Sequence, residues 1–208
     1  MRKKSHISLA KYLVSSMNAG ELDKHRKAFY LGSILPDCKP SFLTKKHEFE
    51  GTYDKLQDNI RALTVDCDMD CNERVYWRRT GEVIHYLADY FTFPHNDTYT
   101  GTLREHCMYE KYLKNYLKYY IFSGKAEENK EKFRHFTTLD ELFDYIERRH
   151  EKYMGKERNV EDDSRYITCL CLQVASGIYQ LKVQAVDEQI IRAAQSAEPN
   201  QTAAPQVA

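Results

Sequence analysis

The side chains best suited to chemistry lie in the stretch GEVIHYLADYFTFPHN, residues 81–96. His85 and Asp89 are four residues apart, so on a helix they project from one face and can bind the same cation. Pro94 breaks the helix just beyond them, and His95 can turn back from the loop that follows. Imidazole and carboxylate together suit zinc, and a zinc ion that keeps one position for water is catalytic.

A second pair repeats this spacing shortly afterwards. His106 and Glu110 also stand one helical turn apart, near the start of a helix. Upstream, Asp37 follows a proline at a helix end, His47 begins the next helix, and His6 lies at the start of the first. Taken singly, each of these residues would be interpreted as a structural or solvated polar group. The order of the whole set is what carries a prediction of metal chemistry.

Long helices joined by short loops are expected to position these side chains. The chain has 8 Gly and 5 Pro, and long stretches without either residue favour helix over turns. Asp70 with Glu73, and Thr102 with Glu105, have the spacing of capping boxes. We see no strand alternation and no internal repeat. The predicted helices cover about residues 6–17, 22–35, 47–63, 71–92, 102–123, 138–154 and 163–194.

The predicted fold class is therefore all-α, a multi-helix bundle in a single domain. A chain of 208 residues is long enough to bury one sizeable core. We assign residues 1–194 to this helical domain. Residues 195–208 lack large apolar anchors apart from one valine, so they are predicted to form a disordered tail.

Composition excludes several classes of protein. Lys plus Arg equals Asp plus Glu at 31 each, so no overall field attracts nucleic acid, and we expect no such partner. The basic start is followed by a broken apolar stretch that does not resemble an export signal, and no run approaches the length of a membrane span. Six cysteines in such a chain are expected to be reduced thiols. These features predict a cytoplasmic protein.

One sequence motif allows more than one interpretation. Residues 111–122, KYLKNYLKYYIF, interleave lysine with tyrosine and leucine. Such a segment can lie on a membrane interface or bind a phosphate backbone. Core packing with a solvated lysine edge is the simpler interpretation, and it is compatible with transient contact with a membrane surface.

The candidate ligands, in their order and local spacing, resemble the bacterial zinc-dependent phospholipase C family. The likeness covers about residues 5–120. The family is all-helical, holds three zinc ions at the bottom of a cleft, and shares its fold with secreted single-strand nucleases. Those nucleases typically carry Asp at the last ligand position, so the glutamate here favours the phospholipase branch. The residues that carry the resemblance are His6, Asp37, His47, His85, Asp89, His95, His106 and Glu110.

The resemblance implies that one carboxylate is shared between two metal positions. It assigns one zinc ion to Asp37, His47, His85 and Asp89. Asp89 would bridge toward a second ion, on which His6 is also a ligand. By the same likeness Asp37 would have a catalytic role as well, because it would orient or deprotonate the attacking water.

The remaining zinc ion would be held by His95, His106 and Glu110. Secreted family members begin with a tryptophan whose amino group and carbonyl chelate zinc. This chain begins with Met1, and its single tryptophan is Trp77. The amine of Met1 is the group that would have to take this place, so we expect two or three zinc ions.

The resemblance implies a zinc-dependent phosphoric diester hydrolase that cleaves a phospholipid or related phosphoester with a metal-activated water. Two alternatives stay open at this point. One is a cytoplasmic phosphohydrolase that acts on a nucleotide or small phosphoester with the same metals. The other is a non-catalytic helical module in which metal only stabilises the fold.

Overall fold

The computed structural model describes residues 1–38, 48–155 and 159–197. Within these ranges the chain forms α-helices and no strand, so the all-α prediction is confirmed. No helix of the described ranges is both long and apolar enough to cross a membrane. The helices are α1 (Lys3–Met17), α2 (Gly20–Lys24), α3 (Arg26–Gly32), α4 (Phe49–Ala62), α5 (Glu73–Tyr90), α6 (Leu103–Phe122), α7 (Lys125–Glu128), α8 (Leu139–Met154) and α9 (Val160–Ala197).

Helix α5 lies at the centre of the fold. It contacts α1, α3, α4 and α9, and α9 in turn packs on α1, α6 and α8. Trp77, Ile84 and Leu87 are among the side chains of α5 that are almost completely buried. Burial of one such side chain stabilises the fold by about 1.5–3 kcal/mol. The last turns of α5, where His85 and Asp89 lie, are therefore inside the core.

Helices α3 and α5 cross with their backbones in direct contact. A Cβ atom on Gly32 would overlap the carbonyl group of Arg78. A Cβ atom on Gly81 would overlap the carbonyl oxygen of Phe29 and lie 2.9 Å from the amide nitrogen of Ser33. Both positions therefore require glycine for this close approach. The crossing places the end of α3 against the part of α5 that carries the candidate ligands.

Some helix limits differ from the predicted ones. The segment predicted as one helix over 22–35 is two helices, because His25 leaves helical geometry with φ −105° and ψ 13°. Helix α5 begins at Glu73 and is capped by Asn72, whose side chain accepts a hydrogen bond from the amide of Val75. The predicted capping box from Asp70 is thus wrong.

Glu73 explains why that capping box does not form. Its carboxylate pairs with Lys182 of α9 instead of turning back to the loop before α5. The predicted box at Thr102 and Glu105 is confirmed, with both of its hydrogen bonds present. Among the described residues, Glu105 has no ion pair with a distant lysine or arginine that would compete with the box.

Helix α9 continues to Ala197, past the predicted start of the tail at residue 195. The rest of the predicted tail, 198–208, lies outside the described residues. We propose that residues 1–194 form one domain.

Candidate metal centre

The first group of candidate ligands is buried and joins two helices that are distant in sequence. His6 comes from α1, and His85 and Asp89 come from α5. His6 Nε2 lies 3.4 Å from Asp89 Oδ1, and His85 Nε2 lies 3.3 Å from Asp89 Oδ2. The two imidazole rings stack with their centroids 3.9 Å apart. We call these three residues the buried group, since none of their side chains is more than 1% exposed.

The second group lies nearer the surface. His95 is at the end of the short 3-10 helix Phe93–His95, and His106 and Glu110 are on α6. The Nε2 atoms of His95 and His106 lie 3.2 and 3.3 Å from the same oxygen, Oε1 of Glu110. The side chains are 11%, 28% and 15% exposed for His95, His106 and Glu110. We call these residues the half-exposed group.

Asp37 lies beside the buried group. It is in the 3-10 helix Pro36–Cys38, and its Oδ1 atom is 3.6 Å from His85 Nε2. Its side chain is 7% exposed. The structure therefore brings together the described members of the set predicted from the sequence. His47, the remaining predicted ligand, lies outside the described residues.

The α-amino group of Met1 lies between the two groups. Its nitrogen is 2.6 Å from Asp89 Oδ1, 3.0 Å from His95 Nε2 and 3.3 Å from Glu110 Oε1. Burial alone would lower the pKa of this amine, but Asp89 and Glu110 outweigh burial and raise its pKa above the ordinary value. The buried ammonium is thus the cation that compensates these carboxylates in the structure.

The surroundings of His6, Asp89 and Glu110 keep the imidazole neutral and the two carboxylates ionised, which are the forms that bind metal. Burial, together with the neighbouring imidazole of His85, lowers the pKa of His6 to about 3, so its ring is neutral at pH 7. Burial would raise the pKa of Asp89, but the Met1 ammonium and the imidazoles around it hold the pKa well below its ordinary value. For Glu110, burial is likewise outweighed by hydrogen bonds from His106 and His95, which lower its pKa.

His6 is the clearest sign that a cation fits here. Within the part of the chain that the structure describes, neither of its buried ring nitrogens makes a hydrogen bond. A buried polar nitrogen without a partner destabilises the fold by about 1–3 kcal/mol. A metal ion would satisfy the lone pair of this neutral ring.

The spacing of the ligand atoms also fits zinc. Ligands at about 2.0–2.1 Å from a tetrahedral ion are about 3.3–3.4 Å from one another. The four contacts between imidazole nitrogens and carboxylate oxygens in the two groups measure 3.2–3.4 Å. In both groups the donor types and the distances between imidazole nitrogens and carboxylate oxygens therefore match those of a zinc site.

A backbone carbonyl orients His85. Its Nδ1 atom lies 2.9 Å from the carbonyl oxygen of Ser33, so the Nδ1 hydrogen donates to that oxygen. Nε2 is then the ring nitrogen that faces Asp89 and Asp37. This contact depends on the close crossing of α3 and α5, and the sequence prediction missed it. Its signal in the sequence is Gly81, one helical turn before His85.

Asp163 anchors the half-exposed group and was also missed. Its Oδ2 atom accepts hydrogen bonds from the amide of Phe93 at 3.0 Å and from the hydroxyl of Tyr109 at 2.8 Å. Its Oδ1 atom accepts one from the hydroxyl of Tyr153 at 2.7 Å. This buried carboxylate on α9 thus fixes both the turn that carries His95 and the helix that carries Glu110.

A cavity of about 760 Å³ opens over the ligand residues. Its lining includes Met1, Asp37, His95, His106 and Glu110. The half-exposed group and Asp37 are therefore accessible to a solute, whereas the three residues of the buried group lie behind the cavity wall.

The comparisons with known proteins agree with this geometry. Residues 5–160 match a family model described as zinc dependent phospholipase C. No curated protein and no solved structure matches the chain. The matched segment covers most of the sequence and contains every candidate ligand except the Met1 amine. The chain belongs to the zinc-dependent phospholipase C family.

Proposed function

We propose that this chain is a zinc-dependent phosphodiester hydrolase that cleaves a phospholipid or a related phosphoester. The observation that carries the proposal is the convergence of imidazoles and carboxylates in two adjacent groups beside one cavity. When bound, zinc supplies positive charge for the phosphate oxygens and makes water a nucleophile near neutral pH. Family membership supports phosphate ester chemistry of this kind.

Each candidate ligand has a proposed role that follows from its position in the site. Asp89 would be the ligand shared by two metal positions; its two oxygens face different imidazoles, His6 and His85, which supports this role. Asp37 lines the cavity next to the buried group, where its carboxylate can accept a proton from an attacking water. His95, His106 and Glu110 form the position nearest the opening, where the phosphate enters.

We also propose that the Met1 amine serves as a nitrogen donor when metal is bound. It lies within 3.3 Å of ligand atoms from both groups, at the place where the two positions meet. For this it must lose the proton that the carboxylates now favour, and a divalent cation among the same carboxylates would promote that loss. We propose two or three zinc ions, depending on this donor.

The six cysteines are free thiols, which supports our proposal that the protein works in the reducing cytoplasm. Its substrate would then be met at a cytoplasmic membrane surface or in solution.

The test combines metal analysis with a substrate panel. Protein purified without a histidine tag should contain at least two zinc ions per chain and should release a phosphorylated head group from micellar phospholipid. Asp37→Asn should keep the zinc held by His95, His106 and Glu110 and lose hydrolysis, since the amide cannot accept the proton. As a matched control, Asp97→Asn changes an exposed aspartate on the same cavity wall and should remain active.

Other results would favour the alternatives. Turnover of nucleotides or chromogenic phosphoesters without head-group release would indicate a small-molecule phosphohydrolase. One bound ion without turnover of any substrate would indicate a module in which metal only stabilises the fold.

A further inference from the structure

A second cavity lies between α1 and the C-terminal half of α6, away from the two ligand groups. It has a volume of about 850 Å³ and is an open groove. Five lysines line it: Lys3, Lys4, Lys11, Lys114 and Lys118. We call this surface the lysine groove.

The lysine groove concentrates positive charge in a chain with no net charge. No carboxylate lies among the described residues that line it. Helix α1 contains no acidic residue, and α6 contains none after Glu110. None of the five lysines has an ion pair with a carboxylate among the described residues. The groove therefore has a local positive electrostatic potential, although the chain as a whole has no net charge.

Apolar side chains border the same surface. Lys114, Lys118 and Phe122 are successive positions four residues apart, so they share one face of α6. Phe122 lines the groove and is 75% exposed, and the adjacent Tyr119 is 53% exposed. Lysine beside exposed aromatic rings is typical of surfaces that rest in the head-group region of a membrane.

The lysine groove adjoins the cavity over the metal centre. Lys3 lines both cavities, and the remaining groove lysines extend from it along α1 and α6. A surface bound along the groove would therefore lie next to the opening through which a phosphate ester reaches the ligand residues.

We propose that the lysine groove docks the protein on an anionic phospholipid surface, which it contacts through the lipid phosphates and Phe122. This rests on the proposed function in that the docked surface contains the substrate class. A single-stranded nucleic acid would also meet the lysines and could stack its bases on Phe122. The continuity of the groove with the cavity over the metal centre favours a lipid surface, because that surface would carry the proposed substrate to the ligand residues. The groove gives residues 111–122 a role besides core packing.

The test measures binding of the full chain to phosphatidylcholine vesicles with and without phosphatidylserine, both with zinc and with a chelator. Wild type should bind the phosphatidylserine vesicles, and added salt should weaken binding. The double variant Lys11→Gln, Lys118→Gln should bind about 25-fold more weakly, since each lysine near such a surface contributes about fivefold. Phe122→Ala should weaken binding further.

The matched control is the double variant Lys55→Gln, Lys132→Gln, which removes two exposed lysines that do not line the groove. It should bind vesicles like wild type. The proposal is overturned if the groove variant also binds like wild type, or if wild type ignores anionic vesicles. Tighter binding to a single-stranded oligonucleotide, with the same dependence on the groove lysines, would likewise overturn it in favour of nucleic acid.

Vesicle binding does not require turnover, so the two proposals fail separately. Lysine-dependent docking without hydrolysis of any phosphodiester would support the docking proposal and contradict the proposed hydrolase activity. Conversely, the groove variant should keep wild-type turnover of a soluble phosphodiester. Turnover of soluble and vesicle substrates without lysine-dependent docking would contradict the docking proposal alone.

Discussion

The buried group and the half-exposed group contain the same kinds of donor, but different parts of the fold hold them. His6 and His85 meet because α1 and α5 are packed into one core, and their side chains are at most 1% exposed. His95 and Glu110 come from neighbouring segments, and the nearby Asp163 ties those segments together. The first arrangement follows from core packing, and the second from one buried carboxylate.

This difference predicts how each group responds to change. The buried group should tolerate little movement of the helices that carry it, since protein cores are close-packed. The half-exposed group should respond to loss of its anchor with weaker metal binding while the fold remains. Mutations can therefore separate the two groups.

The largest expected effect is that of His85→Ala. The change removes a ligand from the buried group, so we expect metal affinity there to fall more than a hundredfold, beyond the loss of about ten- to a hundredfold typical of supporting residues. Phosphodiester hydrolysis should be lost with it, while the half-exposed group keeps its metal. Zinc content after dialysis measures this, with His135→Ala at an exposed histidine as control. Full zinc content in His85→Ala would contradict the assignment.

Gly81→Ala should come next, because it disturbs the buried group through the backbone. The new methyl would overlap the Phe29 carbonyl at the crossing of α3 and α5. We expect a loss of about 3 kcal/mol in the free energy of unfolding, which corresponds to a Tm lower by roughly 6–12 °C. Gly51→Ala is the matched control, since a Cβ atom there meets no other atom within 4 Å, and it should not destabilise α4. Equal Tm values for the two variants would contradict this prediction and show that α3 and α5 can move apart to accommodate the methyl group.

The same contrast explains how much the sequence reveals. The pairs His85–Asp89 and His106–Glu110 are local, so helical spacing alone predicts that each pair shares a face. That His6 reaches Asp89 from another helix was predicted only through the family resemblance. The helical class and most helix positions follow from the scarcity of Gly and Pro and from the spacing of apolar residues.

What the sequence did not reveal depends on tertiary contacts. Glu161, Asp162 and Asp163 form one acidic helix start, and only the fold shows that Asp163 alone of the three is fully buried. The Ser33 carbonyl is a backbone group with no signature of its own. Glu73 likewise has the spacing of a capping residue but pairs with Lys182, which is distant in sequence.

Asp163→Asn should affect the half-exposed group and spare the buried one. The amide keeps the size of the side chain but loses the charge that accepts hydrogen bonds from Phe93 and two tyrosines. We expect metal affinity at the half-exposed group to fall about ten- to a hundredfold. Titration with Co²⁺, followed by its absorption spectrum, would show one weakened site and one unchanged site. Asp162→Asn is the control, and equal weakening of both sites would contradict separate anchoring.

The last prediction concerns the pH dependence of stability in the metal-free protein, to which His6 of the buried group contributes. The folded pKa of His6 is about 3, whereas imidazole in an unfolded chain has a pKa of about 6.5. Between these values the unfolded chain binds a proton that the folded chain does not, so stability falls as pH falls. The slope contributed by His6 is at most about 1.4 kcal/mol per pH unit.

Asp89 acts in the same direction but at lower pH. Its pKa is depressed in the fold, so its contribution is present above the ordinary value of about 3.9 and is lost only in stronger acid. Urea unfolding with a chelator between pH 4 and 7 therefore isolates the histidines. His6→Asn should flatten the slope in this window, whereas His135→Asn, at an exposed position, should keep the wild-type slope. An unchanged slope in His6→Asn would mean that this imidazole is not held neutral in the core.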